Sequence, residues 1–348
     1  MVPSNSQLFA YTGAPGMFLP ATYQAALLLM LLSMLCWGSW ANTLKLCPGY
    51  RFQLFYWDYA IGVLLGALLL GLTAGSHGSA GLSFLSDLVE SPVESMEMAA
   101  LGGVIFNVAN LLLVAAIDIA GLAVAFPVGI GLALVVGSVW SYFVNPKANP
   151  ILLFGGVALV TVAIVLDAAA YRSREKSAKA TSTRGIVLSL IAGVLMGSFY
   201  PLVARAMQGQ RGNPGPGPYA IATFFSVGVL LSTVPANLFL MWKPLDGKPR
   251  VRGSGYWEAL WRWHLAGILG GMIWCTGAVA NFLGSGAHKV GPAVSYSIGQ
   301  GATMISACWG VFVWHEFAGA PPIAKKFLVF MFVFFLLGLG SIALAPLY

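Results

Sequence analysis

Ten runs of roughly 20 residues, dense in Leu, Val, Ala, Phe and Gly and almost free of charge, follow one another through this chain. A run of that length suits a helix crossing the hydrocarbon layer, which is about 30 Å thick against a rise of about 1.5 Å per residue. Membrane β-strands would instead alternate apolar and polar residues over about 10 positions. The runs fall at 21–44, 52–74, 96–117, 121–143, 150–170, 185–207, 218–242, 263–284, 290–313 and 325–346. Only 8% of the 348 residues are charged, against about 25% in a soluble domain. Too few charges remain to build a water-facing surface, so soluble enzyme folds are excluded. Four Cys in this length is ordinary usage and argues against a disulfide scaffold. The expected fold class is an all-α polytopic membrane protein with ten transmembrane helices.

With ten spans, alternate connections share a side, and the basic residues sort accordingly. Lys45, Arg51, Arg172, Arg174, Lys176, Lys179, Arg184, Lys243, Lys248, Arg250, Arg252, Arg262, Lys325 and Lys326 fall together, 14 of the 18. Lys147, Arg205, Arg211 and Lys289 fall opposite, with Asp87, Glu90 and Glu94. Because Lys and Arg are retained on the cytoplasmic side, both termini are expected outside. The net charge of +7 then reports topology and contact with anionic lipid, not nucleic-acid binding. The first 20 residues carry no charge, so the basic start of a secretory signal is missing and the first span is expected to be retained. Trp257, Trp261 and Trp263 beside Arg262 read as an interfacial helix on the basic side, and Leu82 to Val89 as an amphipathic turn on the other.

The chain repeats itself. Gly121 to Gly131 in the fourth span aligns with Gly291 to Gly301 in the ninth, Gly102 to Phe106 with Gly270 to Trp274, and Gly38 to Trp40 with Gly197 to Phe199. Order and spacing agree, which divides the chain into an outer tail (1–20), a first five-helix repeat (21–170), a basic cytoplasmic linker (171–184) and a second repeat (185–348). An odd number of spans per repeat makes the second copy enter from the opposite face. Such 5+5 inverted repeats place a substrate site at their interface near the midplane and imply alternating access. Duplicated glycines also serve plain helix packing, and that reading stays open.

Leu35 to Thr43 (LCWGSWANT), Arg51 to Tyr59 (RFQLFYWDY) and Gly121 to Pro127 (GLAVAFP) resemble the ureide permease family of the drug/metabolite transporter superfamily, which also holds the L-rhamnose-proton symporters and related sugar carriers. The likeness runs over most of the span region. It implies a ten-helix proton-coupled importer, with allantoin, uracil and other oxo-purine-like compounds as substrates of the plant members. Two departures stand out. Gln53 occupies a place where the family pattern reads Glu, and linker 171–184 is short and lacks the nucleotide-binding signature of the plant members' long loop.

Asp58 is the acidic residue best placed for coupling, since it lies about two turns, or roughly 9 Å, inside the second span. A carboxylate within a span costs roughly 2.5–3.5 kcal/mol at the bilayer centre, and a proton that neutralises it lets it cross a helix rearrangement cheaply. An ion pair with Lys45 or Arg51 is the competing reading. Asp167, near the inner end of the fifth span, and Asp118, in a tight loop, suit capping or pairing, and Glu97 suits simple hydration. Polar residues at helical spacing bear on cargo: Asn107 and Asn110 on the third span, Tyr296, Ser297, Gln300 and Thr303 on the ninth, and Ser39, Asn42 and Thr43 on the first beside Trp37 and Trp40. Amides supply donor and acceptor together, as ureide and lactam edges require, while Trp37, Trp40, Phe126 and Tyr296 offer faces for flat rings or sugars. Interhelical hydrogen bonding accounts for such stripes equally well. Asn281 is a weaker member of the set. Pro127, Pro201 and Pro235 each remove a helical hydrogen bond and are candidate hinges or fixed bends.

His77, His264, His288 and His315 form no metal-ligating motif, and the cysteines lack C-x-x-C spacing, so no metal site or cofactor is expected. No strand-turn-helix context exists for a serine nucleophile. The expected activity is that of a secondary transporter, not an enzyme. Its energy source is the proton gradient, its partners are a small solute, protons and the bilayer, and nucleic acid is not among them. Its place is a bacterial inner or plasma membrane. A sugar or metabolite carrier of the same superfamily is the alternative within transporters, and a non-transporting assembly or receptor protein the alternative outside them.

Overall fold

The computed structural model describes residues 16–174, 182–209, 215–245, 247–287 and 289–348. Residues 1–15 of the tail, Lys176 and Lys179 of the linker, Arg211 and His288 lie outside them. In lipid every backbone N–H and C=O must be satisfied within the chain, so the apolar runs close into helices. They are α1 (Tyr23–Ser39), continued after one turn by α2 (Asn42–Lys45), then α3 (Phe52–Leu72), α4 (Phe84–Glu90), α5 (Val93–Ala120), α6 (Leu122–Val144) and α7 (Pro150–Arg174). The rest are α8 (Thr183–Gln208), α9 (Pro218–Trp242), α10 (Ser254–Trp257), α11 (Trp261–Gly286), α12 (Gly291–Gly299), α13 (Ala302–Cys308) and α14 (Pro322–Leu344). Ends follow local chemistry. Thr22 Oγ1 accepts the Ala25 N–H at 3.2 Å and Asn149 Oδ1 the Ile151 N–H at 2.9 Å. Gly121, at φ 82°, lets the chain turn from α5 straight into α6.

Nine helices among the described residues are long and apolar enough to cross a bilayer. The expected ninth span is not among them as one helix. It breaks at Gln300 and Gly301 into α12 and α13 and ends in a π-helical turn, Trp309–Val313. Its pieces still run from one face to the other, since a Cβ on Gly291 would lie 3.2 Å from Lys147 Cβ while Glu316, past its far end, pairs with Lys45 and Arg174. Tyr23, at the start of α1, donates to the Ala343 carbonyl near the end of α14, so both ends of the bundle share the face away from the basic loops. Pro127, Pro201 and Pro235 each lie inside a continuous helix.

Helix pairing has an internal order. The helices α5 and α8 pack together, as do α11 and α1; α5 meets α9 as α11 meets α3; α6 meets α8 as α12 and α13 meet α1. Three contacts, α3 with α9, α6 with α12 and α7 with α14, map onto themselves when the first five crossings exchange with the last five. Glycines set the closest crossings. A Cβ on Gly103 would strike the Phe225 carbonyl and the Val229 nitrogen of α9, and one on Gly271 the Tyr59 carbonyl and the Val63 nitrogen of α3. Gly228 and Gly62 face back onto the carbonyls of Ala100 and Ile268. Outward faces carry exposed aliphatics such as Leu28, Leu69, Val165 and Leu336, as lipid contact requires.

Candidate functional site

The break in the ninth span lies among aromatic rings. The Tyr296 carbonyl accepts from the Gln300 N–H at 3.1 Å and that of Ile298 from Gly301 at 2.9 Å, which closes α12 before α13 begins. Gly299 admits the Trp37 ring and Gly301 the Met34 thioether, each within 2.7 Å of where a Cβ would stand. Trp37 stacks on Trp274 at 5.9 Å and donates its indole N–H to the Trp274 carbonyl at 3.2 Å. Trp274 in turn packs against Phe106 at 4.3 Å and Phe225 at 5.6 Å. The Gln300 side chain is 9% exposed, and its amide makes no hydrogen bond among the described residues. A half-buried Trp and an unengaged amide therefore meet where the helix is interrupted.

The other expected amides are engaged. Asn281 accepts from Tyr200 Oη and donates to Ser33 Oγ at 3.1 Å and to the Ser295 carbonyl at 2.9 Å, joining α1, α8, α11 and α12. Asn107 accepts from Tyr56 Oη at 2.8 Å and donates to Ser232 Oγ at 2.9 Å, and Asn110 donates to the same Tyr56 hydroxyl at 3.0 Å. These two asparagines do share a side, but it faces α3 and α9, not the break. Trp40 packs on Tyr59 at 4.6 Å, and the buried Tyr59 hydroxyl has no partner. Tyr296 donates to the Ala133 carbonyl at 3.0 Å. Asn42 accepts from Trp314 Nε1 at 2.6 Å, and Phe126 is half-buried on α6.

Asp58 is 2% exposed, and neither Lys45 nor Arg51 is its partner. Tyr256 Oη, from the short helix α10, donates to Oδ1 at 2.6 Å, and His264 Nδ1 lies 2.8 Å from Oδ2. Burial, together with the Asp58 carboxylate, holds the Tyr256 phenol above its usual range. Lys45 instead reaches Glu316 at 2.7 Å, where Tyr171 Oη donates at 2.9 Å and Arg174 Nη1 stands 3.8 Å away. Burial alone would raise the Glu316 carboxyl, but its bonds to Lys45 and Tyr171 and the charges of Lys45 and Arg174 prevail and hold it below the usual range. Trp309 Nε1 completes this clasp by donating to Ser39 Oγ at 2.9 Å. Asp118 pairs with Lys248 at 3.6 Å, and Glu97 is exposed. On the opposite face a cleft of about 180 Å³ opens between Asn145, Lys147, Met207, Gln208, Ser285 and Pro292.

Residues 55–184, which contain Asp58, Asn107 and Asn110, match the family model described as ureide permease. Ureide permease 2 of Arabidopsis thaliana is 25% identical, over 86% of this chain and 92% of its own length. The chain is thus similar to ureide permeases over most of its length. Ureide permease 1 of the same plant, 23% identical over 93% of this chain and 97% of its own length, extends the match across both halves. The apolar helices of this chain make it an integral membrane protein, and the relatives it matches are named permeases, that is, transporters and not enzymes. A crystal structure of another protein superposes with a TM-score of 0.58 over 90% of this chain and 96% of that one, at 16% identity, and shows a shared fold. Gln53, where the chain departs from the family pattern, accepts from Asn237 Nδ2 through its backbone carbonyl at 2.7 Å.

Proposed function

We propose that this protein carries a small, flat, amide-rich solute such as allantoin, uracil or a related nucleobase-like compound into the cell with protons, by alternating access. The observation that carries the reading is the Gln300 amide, unengaged and barely exposed at the break of the ninth span beside the Trp37 ring. Transporters bind cargo at interrupted helices near the midplane because unwound backbone and side chains there find no partner in the protein. A primary amide presents a donor and an acceptor to a ureide or lactam edge, and an indole face stacks on a planar ring. The relatives' name points to the same solute class.

Two five-helix repeats, 21–170 and 185–348, form the moving parts in this proposal. Supporting it, the helix pairings interchange when one set of five replaces the other, and the Gly103 crossing recurs at Gly271. The basic face is the cytoplasmic one and both termini lie outside. Asp58 binds the coupling proton, with His264 reachable from the cytoplasm at 24% side-chain exposure. One charge entering at 100 mV supplies about 2.3 kcal/mol, enough for a concentration ratio of order fifty. Radiolabelled allantoin, uracil and a monosaccharide panel offered to proteoliposomes, with and without an outside-acid gradient, test this. Accumulation of a ureide or nucleobase under the gradient is expected. Asp58→Asn is expected to abolish accumulation while leaving solute exchange. Gradient-driven accumulation that survives in Asp58→Asn removes Asp58 from the mechanism, and accumulation of a sugar alone overturns the solute class.

A further inference from the structure

Asp167 is a buried carboxyl that this transport reading leaves unused. It lies on α7, is 5% exposed, and its Oδ1 is buried without a hydrogen-bond partner. One turn further on, Tyr171 presents its hydroxyl to Glu316 Oε2 at 2.9 Å, so Asp167 stands directly behind the group that closes the clasp. The charged and titratable groups around it are few. Its own helix brings Tyr171, Arg172 and Arg174; the 314–317 turn brings His315 and Glu316; α2 brings Lys45; α14 brings Lys325 and Lys326, both exposed; α6 brings none. Both cations near Glu316 are already spoken for. Lys45 Nζ bonds Oε1 at 2.7 Å, and Arg174 Nη1 bonds the Glu316 carbonyl at 2.6 Å.

The backbone here is unusual as well. Trp309–Val313 is π-helical, a geometry frequent at functional sites, and His315 holds a positive φ of 50° that a β-carbon disfavours. Gly310 lets the turn approach, since a Cβ there would stand 2.8 Å from Tyr171 Oη and 3.1 Å from Glu316 Oε2. A charge on Asp167 has no cation of its own to offset its cost, and a bound proton removes that cost.

We propose that Asp167 is a proton-binding site that works the clasp between the first, fifth and ninth spans. With the proton bound, Glu316 alone claims Lys45, Arg174 and the Tyr171 hydroxyl, and the basic face is shut. When the proton leaves to water on that face, a second carboxylate repels Glu316 and competes for Tyr171 and Arg174. The ninth span's end then comes away from α1 and α7. This inference rests on the alternating-access reading for its consequence, but its test needs neither solute nor gradient.

The full chain, with Cys36, Cys47, Cys275 and Cys308 replaced by Ser and Ile305→Cys added beneath the clasp, is reconstituted and labelled with a small maleimide. Rates are divided by those of a chain carrying Ser254→Cys instead, an exposed site that cancels the reagent's own pH dependence. Between pH 6 and 8.5 the ratio is expected to rise about tenfold, the change that one pKa unit of coupling between proton and clasp produces. Asp167→Asn holds the ratio low and flat, Glu316→Gln holds it high and flat, and His315→Gln keeps the rise. Tyr171→Phe retains both carboxyls and reduces the rise, which tests the link if Asp167→Asn fails to fold. A rise that persists in Asp167→Asn, an undiminished rise in Tyr171→Phe, or no gain in Glu316→Gln overturns the proposal. Failure of solute uptake leaves these outcomes unaffected and bears on the transport reading alone.

Discussion

Gln300 and Asn281 are both buried amides near the middle of the bundle, and the chain uses them differently. Asn281 ties four helices through Tyr200, Ser33 and Ser295, so truncating it strands buried donors and acceptors at about 1–3 kcal/mol. The Gln300 side chain makes no hydrogen bond among the described residues. Asn281→Ala is therefore expected to lower the thermal midpoint in detergent, whereas Gln300→Ala leaves it in place and weakens solute binding about tenfold, the worth of one hydrogen bond. Equal losses of stability in the two variants would remove Gln300 from the site. Sequence distinguishes them poorly, because helical spacing puts an amide on a face without saying what stands opposite. Asp58 makes the same point. A carboxylate two turns inside a span is legible, but His264 and Tyr256 lie about 200 residues away and come near only because α11 packs on α3. Glu316 gave still less signal, as an acid at a span's edge ordinarily reads as hydrated.

Among the elements, continuous helices were legible to within a few residues at their ends, since lipid leaves an apolar run no other way to satisfy its backbone. The break at Gln300 was not, because the run 290–313 carries no charge, its polar residues also suit a continuous helix, and only Gly299 and Gly301 mark the interruption. Glycine position matters elsewhere too. Gly103→Val and Gly271→Val put a branched side chain where a carbonyl of the neighbouring helix already stands, and each is expected to cost more than about 3 kcal/mol or prevent folding. Gly155→Ala, with open space around it, should stay within about 0.5 kcal/mol. Monodispersity and thermal unfolding in detergent check all three, and a tolerated Gly103→Val would mean the crossing is looser than its geometry. The element α4 adds a pH dependence. Asp87 accepts the Gly217 N–H at 2.9 Å at the start of α9, yet burial outweighs that bond, and with Glu90 nearby its carboxyl is pushed from 3.8 up to about 6. The folded protein therefore binds this proton more tightly than the unfolded chain. The penalty of the charge is present in full above pH 6, is relieved as pH falls through 6, and is gone below about 4. Asp87→Asn keeps the acceptor and removes the charge, so it should unfold later than the parent at pH 7.5, by up to about 2 kcal/mol, and lose that advantage near pH 4.5. Parallel unfolding curves across that range would exclude the effect.

At the scale of the whole molecule the two ends of the bundle are unequal although the helices that form them correspond. On the basic face α1 and α2 are fastened to the end of the ninth span by Lys45 to Glu316, Trp309 to Ser39 and Trp314 to Asn42. On the other face the matching helices α8 and α6 share, among the described residues, a single side-chain hydrogen bond, Gln208 Nε2 to the Val144 carbonyl at 3.3 Å, beside the 180 Å³ cleft. Ser285, which lines that cleft, lies one helical turn from Asn281, whereas the other end is fastened by the clasp. If the repeats exchange these roles during transport, the Lys45 clasp must open once per cycle. Lys45→Cys and Glu316→Cys, bridged by a short bismaleimide in a chain otherwise free of cysteine, should hold it shut and abolish uptake. A bridged clasp that still passes solute at the parent rate would show that the basic end is not a gate, and the inequality of the two ends would then be a fixed asymmetry of the fold.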